Sequence, residues 1–284
     1  MSIDFCHIVP TPHLPLVHSR PVHLALAHLV EEDEGYADFY RNCNGEVILD
    51  NSAFEMYKRC QPMYPTEKLI DMALKVGADY LVLSDYPKEP AKRTMDAALE
   101  MIPQCRDVGI GTFFCPQAEA GDLEGLIASY GWAFHHPGID YVAFSILNIP
   151  IAYGCEMHQV GTVDSYRMQK FLSRWKFMRE INKRFDLKSI KQKGKKFHFL
   201  GMTEGPNEIC LVQQFVELID TWDSSAAVWA GLNGIRFDSS PTGLNHGKFD
   251  KEVDFDFLTE ENDLIDDARY NMEYIDNLCG GRTW

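Results

Sequence analysis

The chain has no excess of positive charge. Across its 284 residues, 27 Lys and Arg stand against 42 Asp and Glu, a formal balance of −15. That total argues against a nucleic-acid partner, because phosphate binding wants a basic surface. Long apolar runs are also missing. Stretches such as Val22–Val30 are far too short to span a bilayer. The eight cysteines (Cys6, Cys43, Cys60, Cys105, Cys115, Cys155, Cys210 and Cys279) are never closer than ten positions. This spacing lacks the local pairs of a structural zinc site, so free thiols and no bound metal are expected. There is no glycine-rich dinucleotide fingerprint, internal repeat, low-complexity segment or Pro/Ser-rich linker. Residues 1–10 carry no basic segment leading into an apolar one, so no secretory signal is expected and the cytoplasm is the expected compartment.

What is present is an ordinary globular composition, 45% hydrophobic and 24% charged, which rules out a disordered chain, a collagen-like repeat and a coiled coil. Short β-rich runs alternate with helical patterns. Strands are expected at Val22–Val30, Glu46–Leu49, Tyr80–Ser84, Gly109–Phe114, Tyr141–Ile146, Lys196–Gly201 and Leu218–Trp222, with Gly234–Phe237 as a candidate eighth. Helices are expected at Thr66–Val76, Ala91–Cys105, Asp122–Trp132, Val163–Phe185 and Asn207–Phe215. Several strands are apolar throughout, as when both faces of a parallel sheet are covered. The pattern predicts an α/β fold, a (β/α)8 TIM barrel, as a single domain over 1–284. Residues 1–21 would form an N-terminal arm and 250–284 an acidic C-terminal tail.

Charge is unevenly spread. From Arg167 to Lys196 there are twelve cations and two acids, so this window carries +10 and the remainder −25. Two readings are open, a solvated helix face or a phosphate-binding strip including Arg174, Lys176, Lys183 and Arg184. Phe171, Trp175, Met178 and Phe185 would form the buried stripe of that helix. Five histidines near the start (His7, His13, His18, His23 and His28) match no familiar metal-ligand spacing, although a metal-dependent hydrolase stays open as an alternative.

Active groups of a barrel come from the C-terminal ends of its strands. Three strand candidates here run into an aspartate, giving Asp50, Asp85 and Asp223, and a fourth runs into Gln117. Capping is the competing role for a lone aspartate after a strand. Paired carboxylates suit glycosidic chemistry, with one as nucleophile on an anomeric carbon and the other as acid/base. Phe54 and Leu200, near strand ends, could sandwich a flat base or simply pack in the core.

At these residues the chain resembles the tRNA-guanine transglycosylase family, most closely its DNA-acting branch, the DpdA-type 7-deazaguanine transglycosylases of phages and some bacteria. Asp50-Asn51-Ser52-Ala53-Phe54 looks like the family's DSGGF block. Leu83-Ser84-Asp85 looks like its purine-reading strand end, and Gly111 to Gln117 is similar to its GIVQG block. Phe199 to Pro206 looks like YLMGVGxP, and Asp220-Thr221-Trp222-Asp223-Ser224 like the nucleophile block DxFDC. The resemblance implies a pentosyltransferase that replaces guanine in DNA with a 7-deazaguanine base such as preQ0. Asp223 would be the nucleophile and Asp50 the general acid/base. Asp85 and Gln117 would read the base, Phe54 and Leu200 would stack on it, and Gly201 and Ser145 would line the pocket. No cofactor is implied. The family's Cys-x-Cys-x-x-Cys…His zinc site has no counterpart, and Phe144-Ser145 stands where tRNA-acting members carry Gly-Gly. A tRNA substrate, a glycosidase or nucleoside-level activity, and a non-catalytic barrel that binds nucleic acid or a catalytic partner subunit are the alternatives; a homodimer or a partner protein is a further expectation. Asp220 and Asp238 are alternative nucleophile positions.

Overall fold

Eight short parallel strands in the computed structural model pair in the order β1-β8-β7-β6-β5-β4-β3-β2. The structure describes residues 3–155, 163–202, 205–237 and 253–280. The strands are β1 (Asp4–His7), β2 (Val22–Leu26), β3 (Glu46–Asp50), β4 (Tyr80–Val82), β5 (Gly111–Phe114), β6 (Tyr141–Ser145), β7 (Lys196–Leu200) and β8 (Thr221–Ser224). The two edge strands β1 and β2 lie against each other without a ladder, so the sheet curls into a nearly closed barrel. This is the expected (β/α)8 architecture.

Helices wrap the outside: α1 (Ala27–Glu32), α2 (Glu34–Arg41), α3 (Ala53–Lys58), α4 (Thr66–Val76), α5 (Ala91–Asp107), α6 (Leu123–His135) and α7 (Asn148–Ala152). They are followed by α8 (Val163–Arg184), α9 (Leu187–Gln192), α10 (Pro206–Val212), α11 (Ala226–Leu232) and α12 (Asn262–Cys279). Their starts are set locally. Asp33, Asp122 and Asp186 accept bonds from first-turn backbone N–H groups of α2, α6 and α9. No helix among the described residues is long and apolar enough to cross a membrane.

Three aspartates immediately before strands tie the barrel floor together. Asp79 accepts from Val47 N–H on β3, Asp140 from Thr112 N–H on β5, and Asp220 from Phe197 N–H on β7, each at 2.8 Å. Each carboxylate pairs a backbone donor at the N-terminal end of the neighbouring strand, which would otherwise face into the barrel bottom.

Five sequence expectations are corrected. The eighth strand is β1, inside the proposed N-terminal arm; Gly234–Phe237 is not a strand. The Val22–Val30 run splits, because the chain turns into α1 at Ala27. The strand expected at Leu218–Trp222 starts later, at Thr221. The acidic tail supplies α12, which packs on α11. A Cβ at Gly231 would lie 2.2 Å from Ala268 N, so only glycine permits that approach. On α8 the buried face carries Arg174, Phe177, Met178 and Ile181, while Phe171, Trp175 and Phe185 are only partly covered.

Candidate active site at the C-terminal mouth

The three strand-end aspartates meet at the C-terminal mouth of the barrel. A small pocket of about 120 Å³ is lined by Asp50, Phe54, Asp85, Gln117, Ser145 and Leu200, among others. A wider cavity of about 680 Å³ shares Asp50, Phe54, Ser145 and Leu200 and adds Gly201 and Asp223. Its volume lies in the range of small-molecule sites. All eight residues expected at the catalytic and base-binding positions therefore line one connected site.

Asp223 sits on β8, whose register places Trp222 opposite Phe199 of β7. Its Oδ1 accepts from His198 Nε2 and from Gly201 N–H, both at 2.9 Å. Gly201 has φ +72°, a left-handed conformation, and its Cβ would lie 2.8 Å from Ile146. Glycine here lets the chain turn so that its N–H reaches the carboxylate. The alternative nucleophile Asp220 lies at the opposite end, on the barrel floor, bonded to Phe197 N–H and Lys191. Asp238 lies outside the described residues, as do Thr203 and Glu204 of the glycine block.

Asp50 closes β3. Its Oδ1 accepts from Ser52 N–H at 2.6 Å, so it also shapes the tight turn into α3, where Ser52 adopts φ 57°. Burial first, then the negative charges of Glu55, Asp85 and Asp223, holds its proton well above the usual carboxylate range. Such a group carries a proton that it can give and take back.

Asp85 and Gln117 form a hydrogen-bonded pair. Asp85 Oδ1 accepts from Asn51 Nδ2 at 2.7 Å, and Oδ2 accepts from Gln117 Nε2. Burial raises the Asp85 carboxyl to about 6 against those bonds. Gln117 Oε1 is buried and has no partner among the described residues. A buried acceptor without a donor is unfavourable and suits a ligand N–H. Phe54 is 40% exposed at the rim, with Leu200 also on the cavity wall.

Sequence reasoning missed several residues here. His198 stands between two apolar residues of β7 and reads as an ordinary core position. Glu55 lines the wider cavity; burial, with Asp223 nearby, raises its carboxyl. Asn148 on α7 donates to Pro116 O at 3.2 Å and to Cys115 Sγ, which fixes the floor of the inner pocket.

The expected phosphate strip is not assembled as predicted. Arg174 is fully buried. It pairs with Glu208 at 2.6 Å, donates to the carbonyls of Phe144, Leu200 and Gly201, and lies over the rings of Phe199 and Trp222. It therefore holds the pocket wall and is not available to a phosphate. Arg184 forks onto Glu124, with both bonds at 2.7 Å, and also binds Glu180. Lys176 and Lys183 are exposed. The early histidines do not form a cluster. His7 bonds Asp276, His13 accepts from Thr259 N–H, His23 meets Asn44 O, and His28 meets Ser52. His18 packs edge-on to Phe39. Among the described residues, no group of three His, Cys, Asp or Glu is placed to hold a metal ion.

No protein-family model matches the chain, and no curated protein matches it. Among solved structures, it is similar to a protein from Coccidioides immitis described only provisionally as a fructose-1,6-biphosphate aldolase. Identity is 11%, coverage is 98% of this chain and 91% of that one, and the TM-score is 0.55. An HpcH/HpaI aldolase from Desulfitobacterium hafniense is also similar, at 11% identity, 82% and 90% coverage and a TM-score of 0.43. Likeness at this level establishes the barrel fold alone.

Proposed function

We propose that this barrel is a base-exchange pentosyltransferase that replaces guanine in DNA with a 7-deazaguanine base. The observation that carries the proposal is the meeting of Asp50, Asp85 and Asp223, from three separate strands, around one cavity. In this scheme an Asp223 carboxylate oxygen attacks C1′ of the target nucleoside. The C1′–N9 bond breaks, and guanine leaves with a proton from Asp50. The incoming 7-deazaguanine then returns its N9 proton to Asp50 and attacks C1′. The C1′–O bond breaks and frees the Asp223 carboxylate. One glycosidic bond is traded for another, so neither ATP nor a nicotinamide is required.

Base recognition follows from the orphan acceptor. Gln117 Oε1 and the Asp85 carboxylate present acceptors to ring N–H groups. The second proton of Gln117 Nε2 is directed at Cys115 Sγ, a weak acceptor that a ring carbonyl would replace. Phe54 and Leu200 would cover the two ring faces. A duplex base cannot reach this depth while stacked, so the nucleotide must be extruded or single-stranded.

The test is incubation of the protein with DNA, or separately with tRNA, and radiolabelled preQ0. Label is expected in DNA and is expected to vanish with Asp223→Ala and Asp50→Asn. Label in tRNA alone selects the tRNA-guanine reaction. Label in neither nucleic acid, or undiminished labelling by Asp223→Ala, overturns the proposal.

A further inference from the structure

A line of polar side chains, partly exposed at the floor and buried above it, runs through the barrel to the mouth. Lys196 Nζ donates to Glu46 Oε2 at 2.5 Å, and the Tyr141 hydroxyl donates to Glu46 Oε1 at 2.8 Å. Thr221 Oγ1 lies 2.7 Å from His198 Nδ1, and His198 Nε2 lies 2.9 Å from Asp223 Oδ1. His198 is wholly enclosed, with the Phe113 ring edge-on to it. The scheme above gives no role to any group below Asp223.

The proton positions along this line are constrained. The Tyr141 proton goes to Glu46, which leaves the phenol oxygen as an acceptor. Thr221 has one hydroxyl proton, directed either away from His198 or to its Nδ1. In the first case His198 must donate from Nδ1, and as an imidazolium it donates from Nε2 as well. In the second case Nδ1 is an acceptor, and the neutral ring carries its proton on Nε2. A bare Nε2 facing a carboxylate that already accepts from Gly201 N–H would set lone pair against lone pair. Both allowed arrangements therefore aim an N–H at Asp223 Oδ1.

We infer that His198, steered by Thr221, is the positioning residue for Asp223. It fixes Oδ1 together with Gly201 N–H and assigns attack to Oδ2. The inference rests on the base-exchange reading and adds a division of labour within it. When Oδ2 forms the glycosyl ester, charge leaves the carboxylate; when the ester breaks, charge returns. Two donors at Oδ1 stabilise that returning charge, so His198 acts mainly on breakdown of the covalent intermediate.

The experiment has two arms. In the first, the ¹⁵N imidazole spectrum of the wild-type protein is assigned with His198→Gln. His198 is expected to carry a proton on Nε2, and its signal to move in Asp223→Asn and in Thr221→Val. An unprotonated Nε2, or a signal indifferent to Asp223→Asn, overturns the inference whether or not exchange is detected. In the second arm, His198→Phe removes the donor and keeps an apolar ring, and His198→Gln restores an N–H near Nε2. With His198→Phe, kcat is expected to fall on the order of a hundredfold, the KM for the nucleic acid to fall with it, and the fraction of enzyme trapped as nucleic-acid adduct to rise. His198→Gln is expected to recover most of kcat and return the adduct fraction towards wild type. Equal behaviour of the two variants, both folded by circular dichroism, overturns the inference by showing that only packing matters. Asp223→Ala run in parallel separates the two failures: full exchange by Asp223→Ala sinks the base-exchange reading itself.

Discussion

Asp85, the base reader of the proposed scheme, shows how a buried carboxyl can weaken the fold that holds it. Burial raises its carboxyl from 3.8 to about 6, so the folded protein disfavours the ionised form. Stability is therefore lost as pH rises through that window, and the loss is complete above about 6. A shift of this size corresponds to about 3 kcal/mol. Asp85→Asn is expected to resist urea better than wild type at pH 8, with the advantage closing near pH 4, while label uptake is lost. An advantage that does not change with pH would show that ionisation of Asp85 is not the cause. Arg174 behaves in the opposite way. Its guanidinium and Glu208 are both fully enclosed, so Arg174→Met leaves a buried carboxylate without its cation. That variant is expected to lose about 3–5 kcal/mol in urea denaturation, and Arg174→Met with Glu208→Leu to recover much of it. Legibility at this scale follows surroundings. Asp50 and Asp85 stand out because each follows a mostly apolar strand, and Asp223 because it closes a further strand candidate after Trp222. Arg174 is one cation among twelve in its window, and nothing local marks it as the one that turns inward.

Strands and helices were legible where their apolar pattern was long. Seven strands and the helices α4, α5, α6, α8 and α10 were anticipated, with boundaries displaced by a few residues where a strand runs directly into a helix, as at Ala27. β1 was missed because Asp-Phe-Cys-His offers two apolar side chains in four residues, no more than Gly-Ile-Arg-Phe at 234–237 does. Its identity comes from pairing with β8, residue by residue from Asp4 opposite Thr221, and such a partner is not visible in a local window. The floor aspartates, by contrast, repeat a readable pattern of aspartate followed at once by an apolar strand. Asp140→Ala would leave Thr112 N–H without its acceptor. A loss of about 1–3 kcal/mol is expected by urea denaturation, with exchange activity at saturating substrate unchanged in the folded fraction. A fall in activity without a fall in stability would mean that the barrel floor acts on the mouth.

For the whole molecule, the charge of −15 conceals two different basic surfaces. The mouth has an acidic floor and a basic border, with Lys88 on the inner pocket and Lys58, Arg59 and Lys170 on the wider cavity. Tyr57, 48% exposed on α3, lies beside them on the inner pocket and offers a ring to a neighbouring base. The basic end of α8 is elsewhere. Lys183 follows Lys170 by thirteen helical residues, about 20 Å along the axis at 1.5 Å per residue. That end leads by way of α9 to the start of β7, away from the mouth. In the proposed reaction, phosphates flanking an extruded nucleotide lie near the cavity that receives the base, so the border cations, not the far end of α8, are the expected contacts. Lys58→Glu, Lys88→Glu and Lys170→Glu are each expected to weaken binding of a single-stranded oligonucleotide and to flatten the slope of log affinity against log salt by about 0.7 per lost phosphate contact. Fluorescence anisotropy across a salt series reads both quantities. Lys183→Glu is expected to leave both unchanged. If Lys183→Glu flattens the slope and the three border variants do not, α8 is the docking face, and the nucleic acid must reach the cavity from the side of the barrel.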